Sequence, residues 1–474
     1  MVMGEFTQEV DLLVVGGGPG GYAAAFRAAD LGLDVAVVDS APRLGGICLA
    51  HGCIPSKALL SLSELLHDVR HSAGKGVSFG RPEVDLAQVR AWKDGVVDKL
   101  ADGLMRLAEK RGVQFLQARA VFEDSNRVRL EGGEISQIHF RQAILATGST
   151  AEPLPAVPFR ENGRVMGPTE ALALRTIPAR LLVIGGGTIG LELGSIYAAL
   201  GSDVVLIESG RQVLAHADAD LARPLARRIG RDVTVALETQ VISVEEDPDG
   251  VEVVLSGKKD SERRERFDRV LVALGRRPNT TGIGLETTQV VTDGDGSLRV
   301  DEQQRTADPA ILAVGDITGP PWLAHKALRQ GKVAAEVAAG EPAGFDVRVI
   351  PRVVYTDPQL AWAGLTEREA QERNMPVEVA RFPWGASGRA ETLAADGLTK
   401  IISDPKTGRV VGVGIVGRHA SEMIGEGALA IEMGALAEDL ALTMHPHPSL
   451  SEATAEAAEV FLGSVTHILP PRRR

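Results

Sequence analysis

Strand-length apolar runs that stop abruptly at glycine dominate the pattern of this chain, and two of them follow one grammar. The run Val10–Val15 ends in Gly16-Gly17-Gly18-Pro19-Gly20-Gly21, followed by a helical stretch, Tyr22–Leu31, and a second strand, Val35–Val38, closed by Asp39. Much later Leu181–Ile184 runs into Gly185-Gly186-Gly187-Thr188-Ile189-Gly190, then the helix Leu191–Leu200 and the strand Val204–Ile207, closed by Glu208. Short continuous apolar runs bounded by glycine read as buried strands. Between the two copies, Asp85–Lys110 reads as helical, Val113–Phe122 as a strand, and Ala143–Ser149 as a buried strand entering a turn. Glu152–Pro158, rich in proline, reads as a linker. Val270–Leu274 followed by Gly275-Arg276-Arg277-Pro278-Asn279 predicts a return to the first domain, and Ile311–Asp316 is another strand ending in an acid. The helix expected over Ala324–Ala339 has small residues throughout, suited to close packing. Beyond Pro351 the pattern changes to strands (Pro376–Phe382, Thr399–Ser403, Val410–Val416) and helices (Met423–Met433, Ser451–Phe461), an α+β domain without a nucleotide signal.

Each glycine cluster has the G-x-G-x-x-G spacing between a strand and a helix, with an acid roughly 20 residues on, the context that marks a dinucleotide-binding turn. Glycines let the backbone approach a pyrophosphate, and the helix N-terminus stabilises its charge. Gly16, Gly18 and Gly21 with Asp39 form one such site; Gly185, Gly187 and Gly190 with Glu208 form the other. The two acids are placed to accept hydrogen bonds from ribose hydroxyls. Two units imply two dinucleotides.

The chain has only two cysteines, Cys48 and Cys53, spaced C-x4-C just after the first unit. At 474 residues it has ample core without staples, so a loop-stapling role adds little and a redox pair is the better reading. Thiols at a helix start feel the positive end of the macrodipole, which favours thiolate. A disulfide takes electron pairs through a thiolate and nicotinamide exchanges hydride, so a flavin is the natural converter between them. FAD therefore belongs beside the cysteines, at Gly16–Gly21, and the nicotinamide at Gly185–Gly190. Glu208, with no arginine pair directly after it and Arg211 three positions on, favours NAD over NADP.

A length of 474 residues predicts three or four domains. A net charge of −12 argues against a nucleic-acid footprint, and Arg472-Arg473-Arg474 is too short to overturn that. Strand-length apolar stretches leave nothing to span a bilayer, and the short polar start before the first strand leaves no room for a targeting segment. A cytoplasmic address is expected, where a lone cysteine pair reads as catalytic.

Over essentially its whole length the chain resembles the dihydrolipoamide dehydrogenases of the pyridine nucleotide-disulfide oxidoreductase family. The resemblance rests on Gly45-Gly46-Ile47-Cys48, Gly52-Cys53-Ile54-Pro55-Ser56-Lys57, Leu274-Gly275-Arg276-Arg277-Pro278-Asn279, Gly315–Ala327, Tyr355-Thr356-Asp357-Pro358 and His445-Pro446-His447-Pro448-Ser449-Leu450-Ser451-Glu452. It implies an α/β fold: two Rossmann-like dinucleotide-binding domains plus a C-terminal α+β dimerisation domain. The expected division is residues 1–150 for FAD and the cysteines, 151–276 for NAD, 277–348 completing the FAD site, and 349–474 for the interface. It also implies roles. Cys48 would exchange with substrate and Cys53 would lie against the flavin. Lys57 would sit near the flavin, paired with Glu192 of the NAD unit. Asp316 would bind the ribityl chain, and Leu323, Ala324 and His325 would open a helix facing the flavin ring. Thr147 and Gly148 would close the FAD domain, with Ala120, Ser149 and Gly275 also in the cofactor sites. His447, oriented by Glu452, would be the base supplied by the other subunit of a homodimer. The partner would be a lipoyl-bearing E2 or H-protein of a 2-oxoacid dehydrogenase or glycine cleavage complex.

The residues themselves support that chemistry, because a dithiol must lose a proton before it attacks a disulfide, and an imidazole braced by a carboxylate is suited to take it. A related flavin disulfide reductase acting on another disulfide is the alternative. Cys48, Cys53, His445 and His447 have unusual spacing for structural zinc, so no metal is expected. His445 reads as structural, Met433 and Met444 as core, and His216–Asp220 as a solvated helix start. Trp322 and Trp384 read as packing residues, with a substrate approach as the other possibility. His51, between the cysteines, reads as a solvent-facing histidine, with thiol tuning as the sharper alternative.

Overall fold

Strands apolar on both faces stack side by side in parallel, which is how the two glycine-ended units organise the chain. The structure, a computed structural model, describes residues 7–132, 135–155, 157–160, 162–258 and 262–470. In the first sheet Gln114–Gln117, Val35–Asp39, Thr7–Val15 and Gln137–Leu145 lie in that order, followed by the antiparallel ribbon Arg127–Glu131 and Arg119–Asp124. Leu12, Leu13 and Val14 are fully buried in it. In the second sheet Val233–Ala236, Asp203–Ile207, Arg180–Ile184, Arg269–Val272 and Val165–Met166 run parallel. A separate meander, Thr239–Asp247, Gly250–Gly257 and Arg263–Phe267, packs on its apolar face.

Two expectations shift here. Val113–Phe122 is not one strand: it breaks at Ala118, whose N–H bonds Asp39 O at 3.0 Å, and its two parts lie at opposite ends of the first sheet. The return expected at Val270–Leu274 and Gly275–Asn279 is made by the second half of that segment alone, because Arg269–Val272 still pairs with Arg180–Ile184. Arg276–Pro278 forms a two-stranded ribbon with Ser149–Ala151, and Ile311–Ala313 then joins the first sheet beside Gln137–Leu145.

The helix Ala324–Ala338 crosses Pro19–Asp30, the helix that follows the first glycine turn. Small residues make this possible: a Cβ on Gly331 would lie 2.2 Å from Gly20 O. The C-terminal part is a five-stranded antiparallel sheet in the order Arg352–Val354, Gln359–Gly364, Val410–Gly417, Leu398–Ser403, Glu378–Pro383. The helices Ala420–Met433 and Glu452–Leu462 cover it, sharing one apolar cluster.

His216–Asp220 is not a solvated helix start. Asp218 is buried, and its carboxylate, with those of Asp220 and Glu367, surrounds the ammonium of Lys400 at 2.6–2.7 Å. Lys400 comes from the C-terminal sheet and is 1% exposed, so the cluster ties that sheet to the helix Ala219–Ile229 of the second unit and fills what could otherwise hold a cation. Met433 and Met444 are not core within one chain: they are 74% and 95% exposed, beside exposed Leu429 and Leu442. Apolar spacing alone does not separate a surface that a second copy would cover from a core. Trp384 is fully buried and donates to Thr399 Oγ1 at 2.9 Å, a packing residue. No helix among the described residues is long and apolar enough to cross a membrane. The terminal arginines lie outside the described residues.

Because the clash at Gly331 is with backbone, Gly331→Ala should cost on the order of 2 kcal/mol, read as a lower urea midpoint with unchanged slope. An unchanged midpoint would mean that the two helices do not approach this closely.

Candidate active site

The first glycine turn and the cysteines are packed together by backbone geometry. Gly45 and Gly46 have φ of +126° and +59°, and a Cβ on Gly46 would lie 2.6 Å from Gly18 Cα. Only glycine allows that turn and that approach. The chain then forms a short helix, Gly46–His51, carrying Cys48, and a long one, Cys53–His71, that begins on the second cysteine. Both glycine clusters and both cysteines line one cleft of about 2670 Å³.

The cleft fits two dinucleotides by an observation on its own glycines. Gly18 and Gly187 cap their helices with ordinary extended backbone, φ −70° and −78°. A Cβ on Gly187 would meet nothing within 4 Å, and one on Gly18 only Gly46 Cα at 4.0 Å. Neither strain nor packing asks for glycine there. A side chain would instead fill the space before the helix N-terminus that a pyrophosphate needs. Gly21 and Gly190 have another job. They do not line the cleft, and a Cβ on either would lie within 2.0 Å of the first glycine's carbonyl oxygen, so they let helix and strand close up.

The acids brace the turns. Asp39 accepts from the N–H of Gly17 at 2.6 Å and of Ala41 at 2.8 Å; Glu208 accepts from Gly186 at 2.8 Å and Gly210 at 2.7 Å. Arg211 points to Glu238, 3.6 Å, and is 87% exposed, so it is not paired with the Glu208 carboxylate that lines the cleft.

At the centre Lys57 Nζ lies 2.8 Å from Glu192 Oε2 and over the ring of Tyr355 at 4.5 Å. The other oxygen of Glu192 accepts from Tyr355 N–H at 3.0 Å, so this buried carboxylate is fully engaged. The two cysteines are free thiols and are inequivalent. The hydrogen bond from Cys48 lowers Cys53 to about 7, burial opposing and the Lys57 charge assisting. The same bond and burial push Cys48 up. The first thiolate of the pair therefore forms on Cys53.

On the opposite wall Thr147, Gly148, Ser149, Asp316, Leu323, Ala324, His325 and Gly275 line the cleft as expected. Ser149 Oγ donates to Asp316 Oδ2 at 2.5 Å and receives Arg276 Nε at 2.7 Å. Asn279 locks Thr147 from both sides, at 2.8 and 2.9 Å. His325 bonds Pro351 O at 2.8 Å, and burial lowers its pKa. Ala120 is not brought to this wall: its methyl packs in the first sheet's core with Phe122 and Ala118. Sequence reading passed over Tyr355 and Arg276 as individual site residues. Only the motifs containing them stood out, since a backbone N–H and a bond to a serine leave no spacing signal.

His447 and Glu452 do not line the cleft of their own chain. His447 Nδ1 lies 2.8 Å from Glu452 Oε1, with its ring 75% exposed. Burial works against Glu452, but the Ser449 N–H at 2.6 Å and the His447 ring hold its carboxyl below the ordinary range. The His445 ring is 8% exposed and engaged at both nitrogens, by Glu426 at 2.7 Å and Thr443 O at 2.8 Å, a structural histidine.

Comparison with known proteins gives matching families over both parts of the chain: pyridine nucleotide-disulphide oxidoreductase over residues 10–331 and its dimerisation domain over residues 350–458. Dihydrolipoyl dehydrogenase of Vibrio parahaemolyticus is 46% identical over 97% of both chains. That of Bacillus subtilis is 45% identical over 99% of this chain and all of its own. Among solved structures, LpdA from Mycobacterium tuberculosis has a TM-score of 0.86 at 28% identity, covering 95% of this chain and 99% of its own. The HOCl-induced flavoprotein disulfide reductase RclA from Escherichia coli reaches 0.83 at 26%, with the same coverage.

With the Lys57 charge among the causes that lower Cys53, Lys57→Met should raise that thiol toward the ordinary range. Alkylation of the reduced protein at pH 7 should slow roughly three- to tenfold. An unchanged pH profile would show that Lys57 does not act on the sulfur.

Proposed function

The chain belongs to the pyridine nucleotide-disulphide oxidoreductase family, and from that premise we infer that it catalyses the dihydrolipoyl dehydrogenase reaction, oxidising a dihydrolipoyl dithiol to the disulfide and reducing NAD⁺ to NADH. One observation carries the reading: two dinucleotide turns and a lone cysteine pair share a single cleft. The enzyme is a flavoprotein that uses FAD and NAD. The working division is residues 1–150, 151–276, 277–348 and 349–474, and it is supported by the mixed first sheet, the parallel second sheet and the antiparallel C-terminal one.

Gly16, Gly18, Asp39, Lys57, Ser149 and Asp316 would hold FAD, which would supply the chemistry side chains lack, the conversion between a thiolate's electron pair and hydride. The remaining steps belong to this chain. His447 of one subunit, its Nδ1 held by Glu452, takes a proton at Nε2 from a substrate thiol. The thiolate attacks Cys48 Sγ and breaks the Cys48–Cys53 bond, leaving thiolate on Cys53. The second substrate thiol gives its proton to the departing Cys48 sulfur as it attacks the substrate sulfur bound there, which closes the product disulfide and leaves Cys48 as S–H, with the first proton still on His447. Cys53 is suited to hold the released charge because the Cys48 S–H and the Lys57 ammonium both favour its thiolate. Gly185, Gly187 and Glu208 take NAD⁺.

The exposed His447 and the exposed apolar surface of Met433, Leu442 and Met444 support a homodimer in which each base serves the other chain's thiols. The dithiol would come from a lipoyl-bearing protein, an E2 or H-protein, in the cytoplasm, where an unused disulfide is rare.

The test is NAD⁺ reduction by purified yellow protein. Turnover is expected with dihydrolipoamide and NAD⁺, and none with glutathione or NADP⁺; glutathione turnover would instead support a reductase of another disulfide. His447→Gln should lower kcat by about a hundred- to ten-thousandfold with FAD retained. A kcat within a few-fold of the unsubstituted protein would remove His447 as the base.

A further inference from the structure

The mechanism makes no use of Lys326, a buried lysine beside the Asp316 turn. Only 7% of it is exposed, and no carboxylate lies within 4.0 Å of its nitrogen among the described residues. A cation withdrawn from water without a paired anion costs several kcal/mol, and a methionine of similar length would pack there without that cost. Its donors all go to one short turn, Gly315–Thr318, and the residue after it: Gly319 O at 2.7 Å, Thr318 Oγ1 at 3.2 Å and Gly315 O at 3.4 Å. Gln330, one helical turn on and 3% exposed, completes the grip by accepting from Gly315 N–H at 2.9 Å and donating to Thr318 Oγ1 at 3.3 Å. Between these contacts sits Asp316, which faces the cleft and is held from its other side by Ser149.

We propose that Lys326, backed by Gln330, is a positioning residue for the flavin nucleotide, its buried ammonium fixing the turn so that the Asp316 carboxylate is presented to the polyol chain of the cofactor. This rests on the reading of the cleft as a flavin site. The charge has a separate signature. Burial lowers Lys326 to about 8, with Asp316 opposing, so its cation is lost as pH rises through the mildly alkaline range. The charged group acting on it is Asp316, with Arg276 3.9 Å from that carboxylate, and His325, adjacent in the chain, is already biased toward neutrality by burial. In the disulfide form the two sulfurs carry no charge.

The experiment is the rate of FAD release from oxidised holoprotein, followed by the rise in flavin fluorescence from pH 7 to 9.5. Lys326→Met should release FAD at least tenfold faster at pH 7, with a rate that stays flat across the range. The unsubstituted protein should start slow and climb toward the variant's rate as pH passes 8. Equal rates at pH 7, or a pH-flat unsubstituted protein, would overturn the inference. If Lys326→Met fails to fold, Lys326→Gln and the pH profile of the unsubstituted protein decide the matter. A protein that binds no FAD at all would instead overturn the proposed function, and this inference with it.

Discussion

The Glu192 carboxylate is where three parts of the chain are forced to agree. It leaves the helix Thr188–Ala199 of the second dinucleotide unit, takes Lys57 from the helix that starts on Cys53, and takes the N–H of Tyr355, just past the first strand of the C-terminal sheet. A buried carboxylate without these partners would cost several kcal/mol, so the three parts cannot drift apart independently. The consequence for chemistry is positional: the second glycine-turn unit is locked to the thiol helix by the same ion pair whose cation favours the Cys53 thiolate.

Around that lock the chain uses one device twice and then breaks the symmetry. Both dinucleotide turns leave space before a helix N-terminus, and both are braced by an acid at the end of the second strand. What differs is what abuts them. Gly46 presses the cysteine loop onto Gly18, whereas a Cβ on Gly187 would meet only open space. Thiol chemistry therefore has one neighbour among the two sites. The thiols are asymmetric for a related reason: each is partly buried and each feels the Lys57 charge, but the hydrogen bond between them raises the donor, Cys48, and lowers the acceptor, Cys53.

The features legible in the sequence were those with a local signature. The glycine turns, their acids, the cysteine pair and the close-packing helix Ala324–Ala338 all follow from spacing or residue size. Most residues that the family resemblance implied for the cleft also line it, Ala120 being an exception. What escaped was non-local. Lys400 reads as a strand residue and Asp218 as a solvated acid until the fold brings two sheets together around one buried charge. Met433 and Met444 carry a core-like pattern, yet one chain leaves them in solvent. The break at Ala118 depends on where the strand runs out of partners, which no window of sequence contains.

The central claim is that electrons pass between the nicotinamide turn and the cysteine pair through this one cleft. The most direct test is anaerobic treatment of the oxidised holoprotein with NADH alone, followed by alkylation and mass mapping of Cys48 and Cys53. The account predicts that NADH opens the pair and that both sulfurs become labelled. A disulfide that dithiothreitol opens and NADH leaves intact would contradict it.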